Sequence, residues 1–352
     1  MRVPCPDSAL PSFHSILKLQ AGFHLAEAAL PRLFRRASAT ALLTSARRPR
    51  SVIRDVREAE RSFDEALHRA IELHSGEWFT PDSVRRGRVA AAGMTLFGVA
   101  IGEKVPHRSA LNAFAMLYPV ADDIVDKGCF ESGTARKLEM ALTGEPLEKV
   151  TPQEKVVVSL LEEVLRAYPV HDHPLLASTL LELHRLQLGG AKLSFDAADL
   201  LRNRLRTGGL TAVAAGYLAQ GGVRPDFAEI LFKGGALLQL IDDLTDVLQD
   251  RAAGTSTPFS CLEPGNNEMI LPLSGLLGVK AHVGRLCSSH PVAGWLGRIV
   301  PALLLRAYLR LPQWMKEEAS SLLDPALPIP LNVLEQNVRR LCRLSGHSLQ
   351  KR

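Results

Sequence analysis

Two clusters of aspartates have a spacing that suits metal binding. Each reads D-D-x-x-D. The members are Asp122, Asp123 and Asp126 in the first cluster and Asp242, Asp243 and Asp246 in the second. On a helix, residues three and four apart share a face, so each cluster presents its carboxylates on one side. Carboxylates on two facing helices repel unless cations lie between them. Hard oxygen ligands with incomplete protein coordination favour Mg²⁺ that also contacts a phosphate-bearing substrate.

Helical patterning surrounds both clusters and predicts the elements that carry them. Apolar positions recur at helical spacing through most of the chain after residue 50. The predicted helices are Ser51–His74, Val89–Ile101, Arg108–Asp126, Pro152–Tyr168, Pro174–Leu188, Leu200–Gln220 and Arg224–Asp250. Pro119 lies inside the third, where it either kinks the helix or marks a later start. No segment has the pattern of a strand, a dinucleotide-binding glycine loop or a P-loop, so the predicted fold class is all-α.

Charge divides the chain into a basic N-terminal extension and a helical body. Hydrophobic residues make up 46% and charged residues 22%, which is ample for a core. Residues 1–50 hold eight Lys and Arg against two Asp and Glu, whereas the whole chain has a net charge of +5. This extension resembles a transit peptide in composition, and the alternatives are a poorly ordered segment or an early start codon. We expect residues 51–345 to form a single all-α domain.

Other residue types argue against several classes of protein. Aromatic residues are only 5% of the chain, which disfavours a surface for stacking nucleic-acid bases. Five cysteines without C-x-x-C spacing predict reduced thiols in a cytoplasmic protein, with neither a disulfide framework nor a zinc site. No uncharged apolar stretch reaches the roughly 18 residues of a transmembrane helix, so we expect no transmembrane segment.

The sequence around both clusters resembles trans-isoprenyl diphosphate synthases of the class I isoprenoid (terpene) synthase superfamily. ALNAFAMLYPVADDIVD and GGALLQLIDDLTDVLQD are similar to the family's two aspartate-rich regions, and Gln239 fits its F-Q-x-x-D-D. Arg206-Thr207 resembles the family's Lys-Thr, whose basic side chain contacts diphosphate. SVRRGRV is similar to G-G-K-R-x-R-P, and its basic positions fall on Arg85, Arg86 and Arg88. The resemblance covers roughly residues 80–255.

The resemblance implies an isoprenoid-synthase-type helical bundle around a central cavity, with the six aspartates at its mouth. It further implies several Mg²⁺ ions that bridge the diphosphate of a prenyl diphosphate substrate, and a homodimer. Mg²⁺ and arginines would neutralise the leaving diphosphate, while an apolar cavity would shield the carbocation from water. Phe114, Leu117 and Tyr118 precede Asp122 by one to two turns, so we expect them to line this cavity, with ordinary core packing as the alternative.

Departures from the family pattern separate competing functions. Chain-elongating members carry an Arg-Arg pair after the first aspartate motif and a His or Gln seven residues before it; this chain has Lys127-Gly128 and Ala115 at those places. The usual Lys after the second motif is also missing. These differences favour a terpene synthase or cyclase of the prenyltransferase type. On the other side, many terpene cyclases carry an Asn/Ser/Glu triad where this chain keeps three aspartates.

Two alternatives remain open at this point. The first is a chain-elongating polyprenyl diphosphate synthase of the farnesyl or geranylgeranyl type, which uses isopentenyl diphosphate and would hold it with the arginines of SVRRGRV. The second is a non-catalytic partner subunit of a prenyl synthase, which has no need of the aspartates that this chain retains.

Overall fold

The computed structural model describes the chain between Pro49 and Ala319, with gaps. The described residues are 49–74, 76–100, 105–126, 134–143, 145, 151–190 and 197–263, together with parts of 272–319. The extension up to residue 48 lies outside them, as do Lys127-Gly128 and the side chains of residues 122–126.

The described residues form helices and contain no strand, which confirms the all-α prediction for this part of the chain. The helices are α1 (Pro49–His74), α2 (Pro81–Ala100), α3 (Arg108–Asp126), α4 (Thr134–Thr143), α5 (Pro152–Ala167), α6 (Pro174–Gly190), α7 (Ala197–Gln220), α8 (Pro225–Thr245) and α9 (Val247–Ala253). A 3-10 turn, Gly76–Trp78, lies between α1 and α2. None of the helices in these ranges is long and apolar enough to cross a membrane.

The largest differences between the predicted and the observed helices are three, and the other helix ends agree within three residues. The second helix begins at Pro81 rather than Val89, because the Thr80 hydroxyl accepts the Ser83 N–H at 3.1 Å and proline suits the first helical position. Ten residues, Thr134–Thr143, form a helix that the sequence pattern did not predict. The predicted helix Arg224–Asp250 is two helices that meet at Asp246.

Pro119 lies inside α3, so the alternative in which it marks a later helix start is wrong. Around it, α2 crosses α3 closely at Gly87. A Cβ added to Gly87 would lie 2.9 Å from Cζ of Phe63 and 3.0 Å from the carbonyl oxygen of Ala115. Because proline has no N–H, that carbonyl lacks its usual helical donor. Arg86 donates from Nη2 to the Pro119 carbonyl at 3.4 Å. Because Pro119 precedes Asp122 by three residues, this hydrogen bond lies within one turn of α3 from the first aspartate cluster.

Apolar packing of the described residues falls into two cores. The first surrounds α3 and α5, where Leu111 and Val156 are 1% and 0% exposed. The second surrounds α8, where Leu240 and Leu244 pack with Leu304 from the C-terminal part of the chain. Within the described residues, α3 packs against α1, α2, α5 and α7, and α7 packs against α2, α3, α6 and α8. The helices that carry the two aspartate clusters therefore share α7 as a neighbour.

Helices α7 and α8 run antiparallel at short distance because glycine and alanine line their contact. A Cβ added to Gly208 would lie 2.6 Å from the Gly235 carbonyl oxygen and closer still to Cβ of Gln239. From one facing pair to the next, the residue number rises by four on α7 and falls by four on α8. The facing pairs are Gly216 with Leu231, Ala212 with Gly235, and Gly208 with Gln239. We call this contact the glycine seam. It fixes which side chains meet where α7 begins and α8 ends.

Four aromatic and imidazole rings pack together where α3 begins and α7 ends. Tyr168 is 2% exposed, and its hydroxyl donates to the Leu218 carbonyl at 3.3 Å. His107 and His173 approach the Tyr168 ring edge-on, with centroids 5.2 and 5.0 Å away. The Tyr217 hydroxyl lies 2.9 Å from Nδ1 of His173. These contacts join helices at the end of α3 that lies away from its aspartates.

Candidate active site

The second aspartate cluster lies where α8 ends. Asp242 and Asp243 occupy the last turn of α8, Asp246 separates α8 from α9, and Asp250 lies in the first turn of α9. The last turn of α8 contains no basic residue. Carboxylates at a helix C-terminus face the negative end of the helix dipole. They therefore need cations that come from outside their own helix.

Asp243 is turned into the protein. Its side chain is 3% exposed, Oδ1 accepts a hydrogen bond from Nε2 of Gln239 at 2.9 Å, and Oδ2 lies 3.3 Å from Nε of Arg204. The ion pair lacks hydrogen-bond geometry, so Oδ2 is buried without a hydrogen bond. Burial raises the pKa of Asp243 to about 7, although Arg204 and Gln239 favour its charged form. One oxygen of this carboxylate is thus hydrogen-bonded, and the other lies beside an arginine without a hydrogen bond.

The other carboxylates of this cluster have different surroundings. Asp242 is exposed. Asp246 pairs with Nη1 of Arg310 at 3.4 Å, and both side chains are 35% exposed. Burial raises the pKa of Asp250 to about 6, and the charges of Asp246 and Asp242 raise it further, against the opposing charge of Arg204. The cluster thus extends over four carboxylates and meets two arginines that lie on other parts of the chain.

Arg204 and Arg310 are site residues that the sequence interpretation missed. For Arg204 a signal was present: it precedes Gly208 by four residues on α7, as Gly208 precedes Ala212. Four residues before Gly208 on α7 and four residues after Gln239 on α8, the same spacing places Arg204 opposite Asp243. The structure shows this pair. Arg310 lies far along the chain, and no spacing rule connects it with Asp246.

The predicted diphosphate ligands on α7 and α8 are placed differently from one another. Gln239 lies in the cluster, bonded to Asp243. Arg206 is 49% exposed and pairs with Glu182 of α6. Thr207 is 8% exposed, and its carbonyl accepts the Thr211 hydroxyl at 2.8 Å. Thus Arg204, two residues before Arg206, is the α7 arginine that pairs with an aspartate of this cluster.

The first aspartate cluster occupies the corresponding place on α3. Asp122, Asp123 and Asp126 lie in its last two turns, and the last turn contains no basic residue. Their side chains lie outside the described residues. Both D-D-x-x-D motifs therefore come at the end of a helix whose own last turn supplies no cation.

The three arginines of SVRRGRV lie on α2 and are paired with carboxylates of the protein. Arg85 donates to Asp82 at 2.5 Å, and Nε of Arg86 lies 3.2 Å from Asp82. The hydrogen bond from Arg85 is the largest cause that lowers the pKa of Asp82. Arg88 reaches back to Asp64 of α1 at 2.6 Å. All three side chains are at least 39% exposed, so each remains accessible to a ligand.

The residues expected to line a cavity lie on the buried side of α3. Phe114 is 4% exposed and belongs to the first core. Leu117 is partly buried against the same core, and Tyr118 is partly buried. A hollow of about 660 Å³ lies elsewhere, on α1, and its described lining residues are charged or imidazole side chains such as Arg57, Asp64 and His68. That hollow follows a solvated helix face and contains no aspartate of either cluster.

The donor set of the second cluster fits Mg²⁺ with open coordination. Among the described side chains, no three of His, Cys, Asp or Glu converge on one point. Asp243 faces inward, which leaves Asp242 and Asp246 one turn apart at the end of α8. Mg²⁺ is commonly held by one or two carboxylates together with waters and substrate phosphates. Two carboxylates and an anionic ligand satisfy that requirement.

Comparison with known protein families and with curated proteins gives no match for this chain.

Proposed function

We propose that this protein is a Mg²⁺-dependent class I isoprenoid synthase that ionises an allylic prenyl diphosphate. The observation that carries the proposal is the pair of D-D-x-x-D motifs at the ends of two helices in an all-helical chain. Both helices pack against α7, and neither supplies a cation in its last turn. Carboxylates in such positions are stabilised by cations, and bound metal cations in turn attract a diphosphate.

In this proposal the aspartates of both clusters would hold metal ions that contact the diphosphate. Asp242, in the last turn of α8, and Asp246, which directly follows α8, would be ligands. Asp122, Asp123 and Asp126 of α3 would be ligands as well. Mg²⁺, when bound, supplies positive charge that stabilises the leaving diphosphate. Arg86 hydrogen-bonds to α3 near the first cluster, and arginine binds phosphate oxygens in pairs without losing its charge.

We propose further that the carbocation rearranges or cyclises within one molecule, as in a terpene synthase of the prenyltransferase type. A second substrate would need its own diphosphate site. The Arg-Arg pair that chain-elongating members carry after the first motif is absent here, where the chain reads Lys127-Gly128. Ala115, which is 1% exposed, stands where chain-elongating members carry a His or Gln. These features support a single-substrate reaction.

Product analysis tests both parts of the proposal. The protein is incubated with Mg²⁺ and geranyl, farnesyl or geranylgeranyl diphosphate, with and without isopentenyl diphosphate. We expect diphosphate release and a hydrocarbon or alcohol from one allylic substrate alone. A longer diphosphate product that forms only when both substrates are present would establish chain elongation instead.

Substitutions test the metal ligands. Asp122→Asn and Asp242→Asn should each abolish diphosphate release, because each removes a charged oxygen ligand without changing side-chain size. Asp172→Asn is the control, since Asp172 is an exposed aspartate in the turn between α5 and α6. Undiminished turnover in both Asp122→Asn and Asp242→Asn would show that the aspartates hold no catalytic metal.

A further inference from the structure

We propose that Arg204 is a positioning residue of the second aspartate cluster: it holds Asp243 inside the protein and competes with a divalent cation for the cluster. The identity of that cation rests on the proposed function. The geometry of the pair does not, because it depends on α7, α8 and their contact.

The position of Arg204 is set by helix packing. The glycine seam brings α7 and α8 together without room for a methyl group at Gly208. One step beyond Gly208, the Arg204 side chain meets Asp243, with Nε 3.3 Å from Oδ2. Gln239 holds the other carboxylate oxygen at 2.9 Å. Because the participating backbones are all helical, helix packing alone places the guanidinium at the cluster.

Arg204 offsets the cost of a buried carboxylate. Asp243 is 3% exposed, and a charged group in such surroundings is strongly destabilising without a partner. Arg204 itself is 28% exposed, so its other side retains access to solvent. Arg204 thus supplies positive charge to the cluster in the absence of metal. In the metal-loaded protein, the bound cation would be a further source of positive charge.

The same guanidinium opposes the binding of a cation nearby. Arg204 acts electrostatically on Asp250 as well as on Asp243, so its charge reaches both ends of the cluster. A positive charge within several ångströms of a divalent ion lowers the affinity for that ion. The contact between Arg204 and Oδ2 has no hydrogen-bond geometry. Arg204 can therefore shift when a cation arrives without the loss of a directional bond.

Metal titration of Arg204→Gln tests this competition without substrate or turnover. Thermal unfolding is followed as Mg²⁺, and separately Mn²⁺, is added to the full chain. Without metal, Arg204→Gln should unfold at a lower temperature than the wild type, because Asp243 loses its counter-ion. The metal concentration for half-maximal stabilisation should be about tenfold lower in the variant. A merely structural ion pair would lower the unfolding temperature and leave that concentration unchanged.

Arg206→Gln is the matched control, since it removes the same charge two residues away on the same helix. Arg206 pairs with Glu182 and not with the cluster, so its variant should titrate as the wild type does. If Arg204→Gln does not fold, the double variant Arg204→Gln/Asp243→Asn removes both charges of the buried pair. It should fold and bind metal at a lower concentration than Asp243→Asn alone, from which it differs only in the charge of residue 204, and an equal midpoint in those two variants overturns the role of Arg204.

Three outcomes separate the possible failures. An equal titration midpoint in the wild type and in every Arg204 variant overturns the role of Arg204 while the proposed function stands. No metal-dependent stabilisation in the wild type overturns the metal assignment and this proposal together. A lower midpoint in Arg206→Gln, equal to that in Arg204→Gln, shows a general charge effect and also overturns the specific role.

Discussion

Replacing Gly208 with alanine should separate α7 from α8 and disturb the second aspartate cluster at the same time. The new Cβ would lie 2.6 Å from the Gly235 carbonyl oxygen, whereas ordinary contacts begin at 3.4 Å, so the helices must part by about 0.8 Å. The nearest atom to the new methyl group is Cβ of Gln239, which cannot rotate away. Gln239 is also the residue that holds Oδ1 of Asp243.

The expected loss of stability follows from two opposing effects. Overpacking of a tight contact costs about 3 kcal/mol when backbone atoms obstruct the new group. Alanine in place of glycine within a helix returns about 1 kcal/mol. We therefore expect the free energy of unfolding to fall by roughly 2 kcal/mol. Because the seam must open on the side of Gln239, diphosphate release should also slow under conditions in which the variant remains folded.

Urea unfolding followed by circular dichroism measures the first effect, and diphosphate release from a prenyl diphosphate measures the second. Gly278→Ala is the control, because Gly278 lies in a helical segment with no atom within 4 Å of the added methyl group. That variant should be as stable as the wild type or up to about 1 kcal/mol more stable. If Gly208→Ala behaves like Gly278→Ala, the close approach of α7 and α8 is not a property of the folded protein.

Three other predictions concern charged groups. The free energy of unfolding should decrease as the pH rises from about 4 to about 7. Burial raises the pKa of Asp243 from 3.8 to about 7, so in this range the folded state holds a proton that the unfolded chain releases. Asp243→Asn should flatten this dependence in unfolding experiments at stepped pH, and an unchanged slope would contradict the assignment. Lys137→Met should lower the free energy of unfolding, measured in urea, by about 3 kcal/mol, because Glu154 is 3% exposed and loses its cation. A decrease below about 1 kcal/mol would mean that solvent replaces the lysine. Arg206→Gln should change the free energy of unfolding by less than about 1 kcal/mol, since the pair of Arg206 with Glu182 is exposed. The same variant should raise KM for a prenyl diphosphate. An unchanged KM would remove Arg206 from the diphosphate ligands.

The sequence pattern predicted the helices well where an apolar stripe runs through a long segment. The third predicted helix, Arg108–Asp126, has the same bounds in the structure as in the prediction. The errors in the predicted helices come from local features, namely a helix cap and a short helix. Thr80 caps a helix that begins at Pro81, eight residues before the predicted start at Val89. Thr134–Thr143 is too short for its periodicity to stand out from a turn.

The site was predictable only where its residues follow one another in the chain. Spacing alone placed each aspartate cluster on one helix. That holds for the first cluster on α3, whereas the second spans the junction of α8 and α9 at Asp246. The orientation of Asp243 depends on the partner helix, which brings Arg204 to it across the glycine seam. Arg310 meets Asp246 from 64 residues further along the chain. Contacts of that range depend on packing that no local spacing describes.

Trp314 gives the second cluster an optical reporter. Its ring centroid lies 5.2 Å from Cζ of Arg251, the residue that follows Asp250, and Arg251 in turn donates to the Ser260 carbonyl at 2.9 Å. The chain has three tryptophans. With the other two replaced by phenylalanine, indole emission would respond to any displacement of the Arg251 guanidinium. A ligand that displaces this guanidinium would then be visible in milliseconds by stopped-flow fluorescence, before any product has formed.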